Sequence, residues 1–434
     1  IIAAVHESGA DAVHPGYGFL SENAEFADRV VAEGIAFIGP PSSAIASMGD
    51  KIAAKKVAKQ AGVHTIPGHG KAISDTAEAE TIAAEIGYPV MIKAAAGGGG
   101  KGMRVANTAG VLADNIASAI HEASQAFGDG RVFIEKFIVD PRHIEIQILA
   151  DAHGNVIHLG ERECSIQRRH QKIIEESPSP LLDEATRAAM GAEACALAKE
   201  VNYSSAGTVE FVADQQRNFY FLEMNTRLQV EHPVTEYVTG VDLVEQQIRI
   251  AAGEKLSLSQ DDIKQNGWSV ECRLYAEDPE RGFMPSIGRV VRYREPAPSA
   301  TVRVDTGVFE GGEISMFYDP MIAKLVSHGK DRGAAIATML CALDNYQVHG
   351  ISHNLTFLSA ILGHPRFAEG KLSTAFIDEE YPEGFIARAG EAELAVLVPV
   401  AAVIEARHSA RRAGPIAKRD YVVSVADVDH AVML

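Results

Sequence analysis

The sequence predicts a mixed fold, α/β at its start and α+β over the remainder. In the first 38 residues, short apolar strands at residues 10–13 and 36–38 alternate with a helix and a Gly/Pro-rich loop, as in a parallel layer. Later, residues 207–213 and 219–224 flank a polar turn and predict an antiparallel hairpin. A chain of 434 residues is long enough for roughly two or three domains.

Composition and charge argue against two classes of partner. The net charge of −18 leaves no excess of Lys and Arg for a nucleic-acid backbone, and no apolar run approaches the thickness of a bilayer. We therefore expect neither a nucleic-acid partner nor a membrane. The cysteines Cys164, Cys195, Cys272 and Cys341 form no Cys-x-x-Cys pair, which indicates a reducing compartment and excludes a zinc ribbon.

We expect both ends of the chain to be incomplete. Residues 1–10 have the pattern of a helix interior, without an initiator Met or a signal peptide. Residues 420–426 begin a new β pattern that stops soon afterwards, at Leu434. Missing residues upstream would leave the N-terminal domain without its first part.

The hairpin at residues 207–224 is a candidate metal site. Glu223 and Asn225 lie two residues apart, so both side chains project from one face of the predicted strand, and Glu210 lies on the partner strand. Two acids on neighbouring strands repel each other unless a cation lies between them. Because all three ligands are oxygens, magnesium is favoured. The alternative is a solvated hairpin face.

The loop after this hairpin concentrates polar groups. Arg227, Gln229 and Glu231 place a cation, an amide and a possible base in one short segment. Such crowding favours a binding site over the solvated face.

A glycine-rich loop follows the predicted strand that ends at Lys93. Gly97, Gly98, Gly99 and Gly100 provide backbone amides that can wrap a phosphate, although a surface loop is the alternative. The segment is not a P-loop, because Gly102 occupies the position where Ser or Thr should bind magnesium.

Three further segments contain candidate ligand contacts. Tyr17 lies between two glycines in the first loop, where it is a candidate ligand contact or part of a simple turn. Residues 167–172 form a basic cluster in an acidic protein and favour contacts to phosphate or bicarbonate over a solvated loop. On the strand at residues 143–149, His143 shares a polar face with Glu145 and Gln147, and this face taken alone indicates a structural role.

Five motifs in order resemble biotin carboxylase of the ATP-grasp fold. They are residues 48–51, Lys93 with its glycine loop, and residues 140–147, 163–172 and 223–233. The resemblance extends over about residues 1 to 384. Residues 204–210 and 266–279 look most like family members that act on propionyl-CoA.

The resemblance implies a domain organisation. Residues 1–38 would be an incomplete, Rossmann-like N-terminal domain, and residues 39–65 a linker. Residues 66–137 would be a mobile ATP-grasp lid. Residues 138–384 would form the ATP-grasp and C-terminal biotin carboxylase domain, and residues 385–434 a linker and the start of a carboxyltransferase-docking domain.

The resemblance also implies residue roles. ATP would be contacted by Lys51, Lys93, the flap Gly97 to Gly100, the adenine hinge Glu135, Lys136 and Ile138, and by His143, Gln167 and His170. Magnesium or manganese would be held by Glu210, Glu223 and Asn225. Bicarbonate would be bound by Lys172, Arg227, Gln229 and Val230, with Glu231 as base; Arg273 would stabilise the biotin enolate and Tyr17 would contact biotin.

The partners implied are a biotin carboxyl carrier domain and a carboxyltransferase (beta) subunit in a hetero-oligomer. No Met-Lys-Met biotinylation tripeptide occurs in the sequence, so biotin would be attached to a carrier absent from this chain. The compartment would be the cytoplasm in a bacterium or the mitochondrial matrix in a eukaryote. Alternatives are a biotin carboxylase for acetyl-CoA or 3-methylcrotonyl-CoA, another ATP-grasp ligase, and a non-catalytic nucleotide-binding subunit.

Overall fold

The computed structural model of the protein describes residues 1–68, 71–73, 76–96, 102–387, 394, 396–405, 420–425 and 428–433. The chain divides into two compact units, Ile1–Glu383 and Gly384–Leu434. Within these described ranges, no helix combines the length and the apolar character needed to cross a bilayer.

The first part of the larger unit is a small α/β layer. Its elements are α1 (Ile2–Ser8), β1 (Ala12–Val13), α2 (Ala24–Ala32), β2 (Ala36–Phe37), α3 (Ser42–Gly49) and α4 (Lys51–Gln60). The two strands pair in parallel, which confirms the parallel layer that the sequence predicted. Asp50 caps α4 by accepting hydrogen bonds from the backbone amides of Ile52 and Ala53, so the helix begins at Lys51.

A three-stranded antiparallel sheet with two helices follows. Its elements are α5 (Thr76–Ile86), β3 (Val90–Ala94), β4 (Met103–Ala106), α6 (Leu112–Phe127) and β5 (Val132–Lys136). The strand order is β4-β3-β5. Ile82, Ile92, Leu112 and Ile134 pack together in its core. Lys93 is the penultimate residue of the central strand, β3.

The remainder of the larger unit is built on an eight-stranded sheet. In chain order the elements are β6 (Arg142–Ala150), β7 (Val156–Arg168), β8 (Gln171–Ser177), α7 (Glu184–Glu200), β9 (Ser205–Ala213), β10 (Phe219–Asn225), α8 (His232–Thr239), α9 (Leu243–Ala251), β11 (Trp268–Tyr275), β12 (Glu277–Asp278), β13 (Met284–Pro285), β14 (Gly288–Arg289), β15 (Arg292–Arg294), β16 (Val302–Thr306), β17 (Glu313–Ile314), β18 (Met321–Gly329), α10 (Arg332–Asp344), β19 (Gln347–His349), α11 (Leu355–Leu362), α12 (Pro365–Ala368) and α13 (Phe376–Glu380). Short 3-10 turns lie at Ala109–Val111, Gln260–Asp262 and Pro279–Arg281.

The large sheet has the order β10-β9-β6-β7-β8-β11-β18-β16, and every neighbouring pair is antiparallel. One face packs against α7, where Ile144 and Ile146 contact Met190 and Leu197 in a common core. The predicted hairpin is confirmed, since β9 pairs with β10 and Glu210 lies opposite Glu223.

The second face of β6 differs from the expectation of a solvated structural surface. Glu145 and Gln147 are fully buried. Arg162 of β7 bonds to both side chains and Lys172 of β8 bonds to Glu145. A helix that the sequence patterns did not reveal, α8, packs on the neighbouring strands β7, β8, β11 and β18. The polar residues of β6 therefore lie in the interior.

The smaller unit contains an antiparallel pair, β20 (Asp420–Val425) and β21 (Val428–Met433). The first of these strands lies where the sequence predicted a new β pattern.

The N-terminal cap of α10 provides a test of how local sequence stabilises the larger unit. Asp331 accepts a hydrogen bond of 2.8 Å from the amide of Ala334. We expect Asp331→Ala to lower the free energy of unfolding by about 1 kcal/mol, measured by chemical denaturation, because the first turn loses its acceptor. Asp331→Asn should retain most of this stability.

Asp344 at the other end of α10 is a matched control. It is exposed, and its negative charge lies at the negative end of the helix dipole. Asp344→Ala should cause no loss of stability. Equal losses in the two alanine variants would contradict the assignment of Asp331 as the cap.

Candidate active site

The metal-site candidates lie together at the end of the β9–β10 hairpin. The register of β10 shifts between Phe221 and Glu223, and this irregularity leaves Glu223 directly opposite Glu210. Lys51 Nζ lies 3.5 Å from a carboxylate oxygen of Glu223. The side-chain oxygen of Asn225 accepts a hydrogen bond of 2.7 Å from Arg227. Two carboxylates and an amide oxygen thus face one region.

Lys172 is the central cation of the site. Its ammonium group donates hydrogen bonds to Glu145, Glu210 and Glu231 at 2.5, 3.0 and 2.6 Å. Burial alone would lower the pKa of Lys172, but the three carboxylates outweigh this effect and hold the pKa well above its ordinary value. The lysine is therefore permanently charged and joins three separate parts of the chain.

Glu231 is held in its charged form between two cations. In addition to the bond from Lys172, it accepts a hydrogen bond of 2.9 Å from Arg273. Burial raises the pKa of this carboxyl, yet the charges of Lys172, Arg273 and Arg162 overcome that penalty and hold the pKa well below its ordinary value. Glu231 is therefore a carboxylate that can accept a proton.

Arg273 lies on β11 and is fixed at two of its nitrogens. Its Nε donates to Glu175 at 2.5 Å, and a terminal nitrogen donates to Glu231. Charge-assisted bonds to two carboxylates hold the plane of the guanidinium. Glu175 was not among the predicted site residues.

Arg162 is the most connected residue that the sequence analysis missed. It is fully buried on β7 and donates to Glu145 at 2.5 Å and to Gln147 at 2.6 Å. It also bonds Gln229 at 2.9 Å, while the amide nitrogen of Gln229 donates to Glu210 at 2.8 Å. Arg162 thus fixes which way the Gln229 amide points. In the sequence it is a single cation between two glutamates, with no pattern that indicates burial.

Two adjoining cavities collect most of the predicted residues. The first, of about 530 Å³, is lined by Lys51, Lys93, His143, Gln167, His170, Lys172, Glu210, Glu223, Asn225, Arg227, Gln229, Val230, Glu231 and Arg273. The second, of about 350 Å³, has apolar walls that include Ile66, Met91, Phe211 and Leu222, and Lys136 and Ile138 also line it. Lys93, His143, Gln167 and His170 line both. A polar chamber beside a more apolar one suits a ligand with a flat ring and a charged tail.

Three predictions have other outcomes. The side chain of Glu135 is buried and pairs with Lys55 and with Lys93, 2.8 Å from Lys93 Nζ, so it supports the lysine rather than lining either cavity. Tyr17 lines a third cavity, with His14, His232 and Lys324 among its neighbours. The flap glycines Gly97 to Gly100 lie outside the described residues.

The donor set at the hairpin fits a divalent cation. Carboxylate and amide oxygens are the ligands that magnesium and manganese prefer. Glu223 is only partly buried and lines the cavity, so its carboxylate can reach a bound ion.

Comparisons with known proteins agree with this geometry. Residues 1–45 match the family model of the biotin carboxylase N-terminal domain, and residues 271–379 that of the biotin carboxylase C-terminal domain. Residues 50–259 match the ATP-binding domain of the carbamoyl-phosphate synthase L chain.

A solved structure of the biotin carboxylase domain of 2-oxoglutarate carboxylase from Hydrogenobacter thermophilus is similar, with a TM-score of 0.85 and 49% identity. The match covers 89% of this chain and 85% of that one. The chain belongs to the biotin carboxylase family. That structure contains MgADP, ADP and bicarbonate. The large sheet and the three-stranded sheet described above are therefore those of a biotin carboxylase ATP-grasp fold, as predicted.

Two curated relatives within this biotin carboxylase family are propionyl-CoA carboxylase alpha chains. The protein of Ruegeria pomeroyi is 61% identical over 89% of this chain and 59% of its own length. The mitochondrial protein of Sus scrofa is 58% identical over 89% of this chain and 53% of its own length. The chain thus spans somewhat more than half the length of these relatives.

The buried position of Arg162 predicts a large effect on stability. Arg162→Met should lower the free energy of unfolding by about 3 kcal/mol, because Glu145 and the Gln147 and Gln229 amides lose a buried partner. Chemical denaturation measures the change.

Arg249→Met is the matched control. This arginine also pairs with two glutamates, Glu245 and Glu254, but on the surface. Its replacement should leave the unfolding curve unchanged, since solvent screens the pairs. If the two variants lost equal stability, the argument from burial would be wrong.

Proposed function

We propose that this chain is the biotin carboxylase component of a biotin-dependent acyl-CoA carboxylase that acts on propionyl-CoA. It would use ATP to carboxylate carrier-bound biotin with bicarbonate. The observation that carries the proposal is Glu231, a buried carboxylate held between Lys172 and Arg273 at the wall of the polar cavity. A base, two cations and the bicarbonate candidates Arg227 and Gln229 share this one chamber.

The first step requires a more reactive bicarbonate. Bicarbonate is a poor nucleophile until it loses its proton, and Glu231 is the carboxylate placed to accept that proton. Because its pKa is lowered, Glu231 is a weak base, and proton transfer to it depends on how well bicarbonate is aligned. The groups that orient bicarbonate therefore contribute most to this step. Arg162 and Glu210 hold the amide of Gln229, and Lys324 donates a hydrogen bond of 3.0 Å to the carbonyl of Val230.

The phosphoryl transfer depends on positive charge. Lys51, Lys93 and Lys172 line the polar cavity and would neutralise the triphosphate as bicarbonate attacks the γ-phosphorus to form carboxyphosphate and ADP. Adenine would occupy the neighbouring apolar cavity beside Lys136 and Ile138.

Glu210, Glu223 and Asn225 would hold magnesium or manganese. Such an ion, when bound, neutralises charge on the phosphate oxygens. This role is supported by the cross-strand position of the two acids.

In the second half of the reaction carboxyphosphate breaks into CO2 and phosphate. The released phosphate would remove the N1 proton of biotin, and Arg273 would stabilise the negative charge that develops on the ureido oxygen as CO2 is captured. The flap Gly97 to Gly100 would exclude water from carboxyphosphate. Tyr17, which lines the third cavity, would contact biotin.

The remaining parts of the proposal concern organisation. We assign residues 1–38 to an N-terminal biotin carboxylase domain, 39–65 to a linker, 66–137 to the ATP-grasp lid, 138–384 to the ATP-grasp and C-terminal biotin carboxylase domain, and 385–434 to a linker and a carboxyltransferase-docking segment. Partners would be a biotin carboxyl carrier domain and a carboxyltransferase subunit. The location would be the bacterial cytoplasm or the mitochondrial matrix, and the named relatives come from both kinds of source.

Steady-state assays test the proposed reaction. ATP hydrolysis should require bicarbonate and should increase when free biotin is added. Turnover with an amine in the absence of bicarbonate would instead support another ATP-grasp ligase. Co-purification of the carboxyltransferase subunit, followed by assays with propionyl-CoA, acetyl-CoA and 3-methylcrotonyl-CoA, tests the acyl-CoA preference.

Glu231 provides the sharpest single substitution. Glu231→Ala should retain ATP binding, measured by calorimetry, because the residue faces the bicarbonate end of the cavity. Carboxylation of free biotin should fall by about a hundredfold or more, since general-base catalysis is lost. Glu254→Ala, at an exposed glutamate, is the control and should behave like the wild type. Wild-type carboxylation by Glu231→Ala would refute its assignment as base.

A further inference from the structure

Two buried acids lie behind Arg273, outside the cavities described above. Glu175 on β8 and Glu271 on β11 are direct partners across the antiparallel ladder. Directly opposed residues project from the same face, with Cβ atoms about 5 Å apart. Both side chains are fully buried.

The two acids have unequal partners. One oxygen of Glu175 accepts the bond from Arg273 Nε, and its other oxygen is unpaired among the described residues. Neither oxygen of Glu271 has a hydrogen-bond partner within that same part of the chain. A buried carboxylate without a hydrogen bond is costly, whereas the neutral acid form costs far less. The geometry therefore separates the pair into one anchored carboxylate and one neutral acid.

The surrounding charges do not remove this constraint. The charged groups that face the pair are Arg273 on the same strand, Lys324 on β18, Lys172 on β8 and Glu231 from the loop before α8. Lys324 is already bonded to the carbonyl of Val230 and paired with Asp305 at 3.2 Å. Of these cations, Arg273 alone donates a hydrogen bond to the pair, to Glu175. Two adjacent buried carboxyls that share this one bonded cation cannot both ionise near neutral pH.

The titration directions agree with the geometry. Burial raises the pKa of Glu175 to about 7, although Arg273 opposes the shift. Burial, with Glu175 as an added repulsion, raises the pKa of Glu271 well above its ordinary value. Such coupled acids share a proton, and Glu271 is the member with the stronger tendency to keep it.

We propose that Glu175 is a positioning residue for Arg273 and that Glu271 is kept as a neutral acid beside it, so that the pair carries a single negative charge. The inference rests on the proposed function and deepens it. Glu175 holds the guanidinium of Arg273 through the bond to Nε. The orientation of the guanidinium towards the ureido oxygen of biotin is then defined. A second charge on Glu271 would repel Glu175 and disturb this anchor.

The two carboxyl-to-amide variants form a matched pair. Glu175→Gln and Glu271→Gln make the same chemical change at neighbouring buried positions, and neither residue lines the polar cavity. Each is made in the full chain. Carboxylation of free biotin and bicarbonate-dependent ATP hydrolysis without biotin are then followed from about pH 6 to about pH 9.

For Glu175→Gln, biotin carboxylation should fall by about tenfold or more, while ATP hydrolysis without biotin should change by less than about threefold, because only Arg273 loses its alignment. Glu271→Gln reproduces the neutral acid. Its carboxylation rate near neutral pH should lie within about twofold of the wild type, and its activity should persist to higher pH. A structural role alone would not move the alkaline limb.

Wild-type carboxylation by Glu175→Gln would overturn the positioning role. An unchanged alkaline limb, or a loss at neutral pH, in a folded Glu271→Gln variant would overturn the neutral-acid role. Infrared spectroscopy of the wild type covers the case in which a variant does not fold. A protonated buried carboxyl should give a carboxylic C=O stretching band at neutral pH. Absence of that band would also overturn the inference. If the band is present but the wild type does not carboxylate biotin, the proposed function fails while the charge assignment stands.

Discussion

The ammonium group of Lys172 is the interaction on which the site depends. It joins Glu145 of β6, Glu210 of β9 and Glu231 of the loop before α8. Three buried carboxylates within reach of one another repel strongly, and each would be unstable in the interior without a cation. Lys172 therefore holds together three segments that are distant in sequence. Arg162 adds a second positive charge to the same cluster through its ion pair with Glu145.

This balance links the candidate metal site to the candidate base. Glu210 shares Lys172 with Glu231, and it also accepts a hydrogen bond from Gln229. A change in charge at the hairpin must therefore alter the field at the base. In a low-dielectric interior such coupling is strong, because little solvent is present to screen it. The β9–β10 hairpin and the loop of residues 226–231 that follows it therefore form one electrostatic unit.

Local patterns in the sequence were sufficient wherever short-range rules decide structure. The turn between residues 213 and 219 and the alternation on either side predicted the hairpin, but the shift in register between Phe221 and Glu223 was not part of that prediction. The same kind of short-range rule applies at α4 and α7, where Asp50 and Asp183 cap the first turn by accepting hydrogen bonds from backbone amides. The resemblance to biotin carboxylase then identified residues that the structure brings to one cavity, from Lys51 to Arg273.

Other features had no local signal. Arg162 reads as one charged residue between two glutamates, and only the packing of α8 over the sheet makes it a buried hub. Glu135 was predicted at the adenine hinge, and in the structure its side chain pairs with Lys55 and Lys93, which lie on two different elements. Sequence spacing cannot reveal such partners, because they are brought together by the sheet order rather than by the chain.

The sequence by itself determined the family, the β9–β10 hairpin and most residues of the polar cavity, since these depend on motifs and on strand periodicity. Only the tertiary structure decided which charges are paired. Both faces of β6 are buried, so Glu145 and Gln147, which the sequence pattern placed on a solvated face, lie in the interior of the site. The pairing of β8 with β11 places Glu175 next to Glu271, beside Arg273. The physical reason is that the free energy of a charge depends on its solvent and its partners, and both are set by packing.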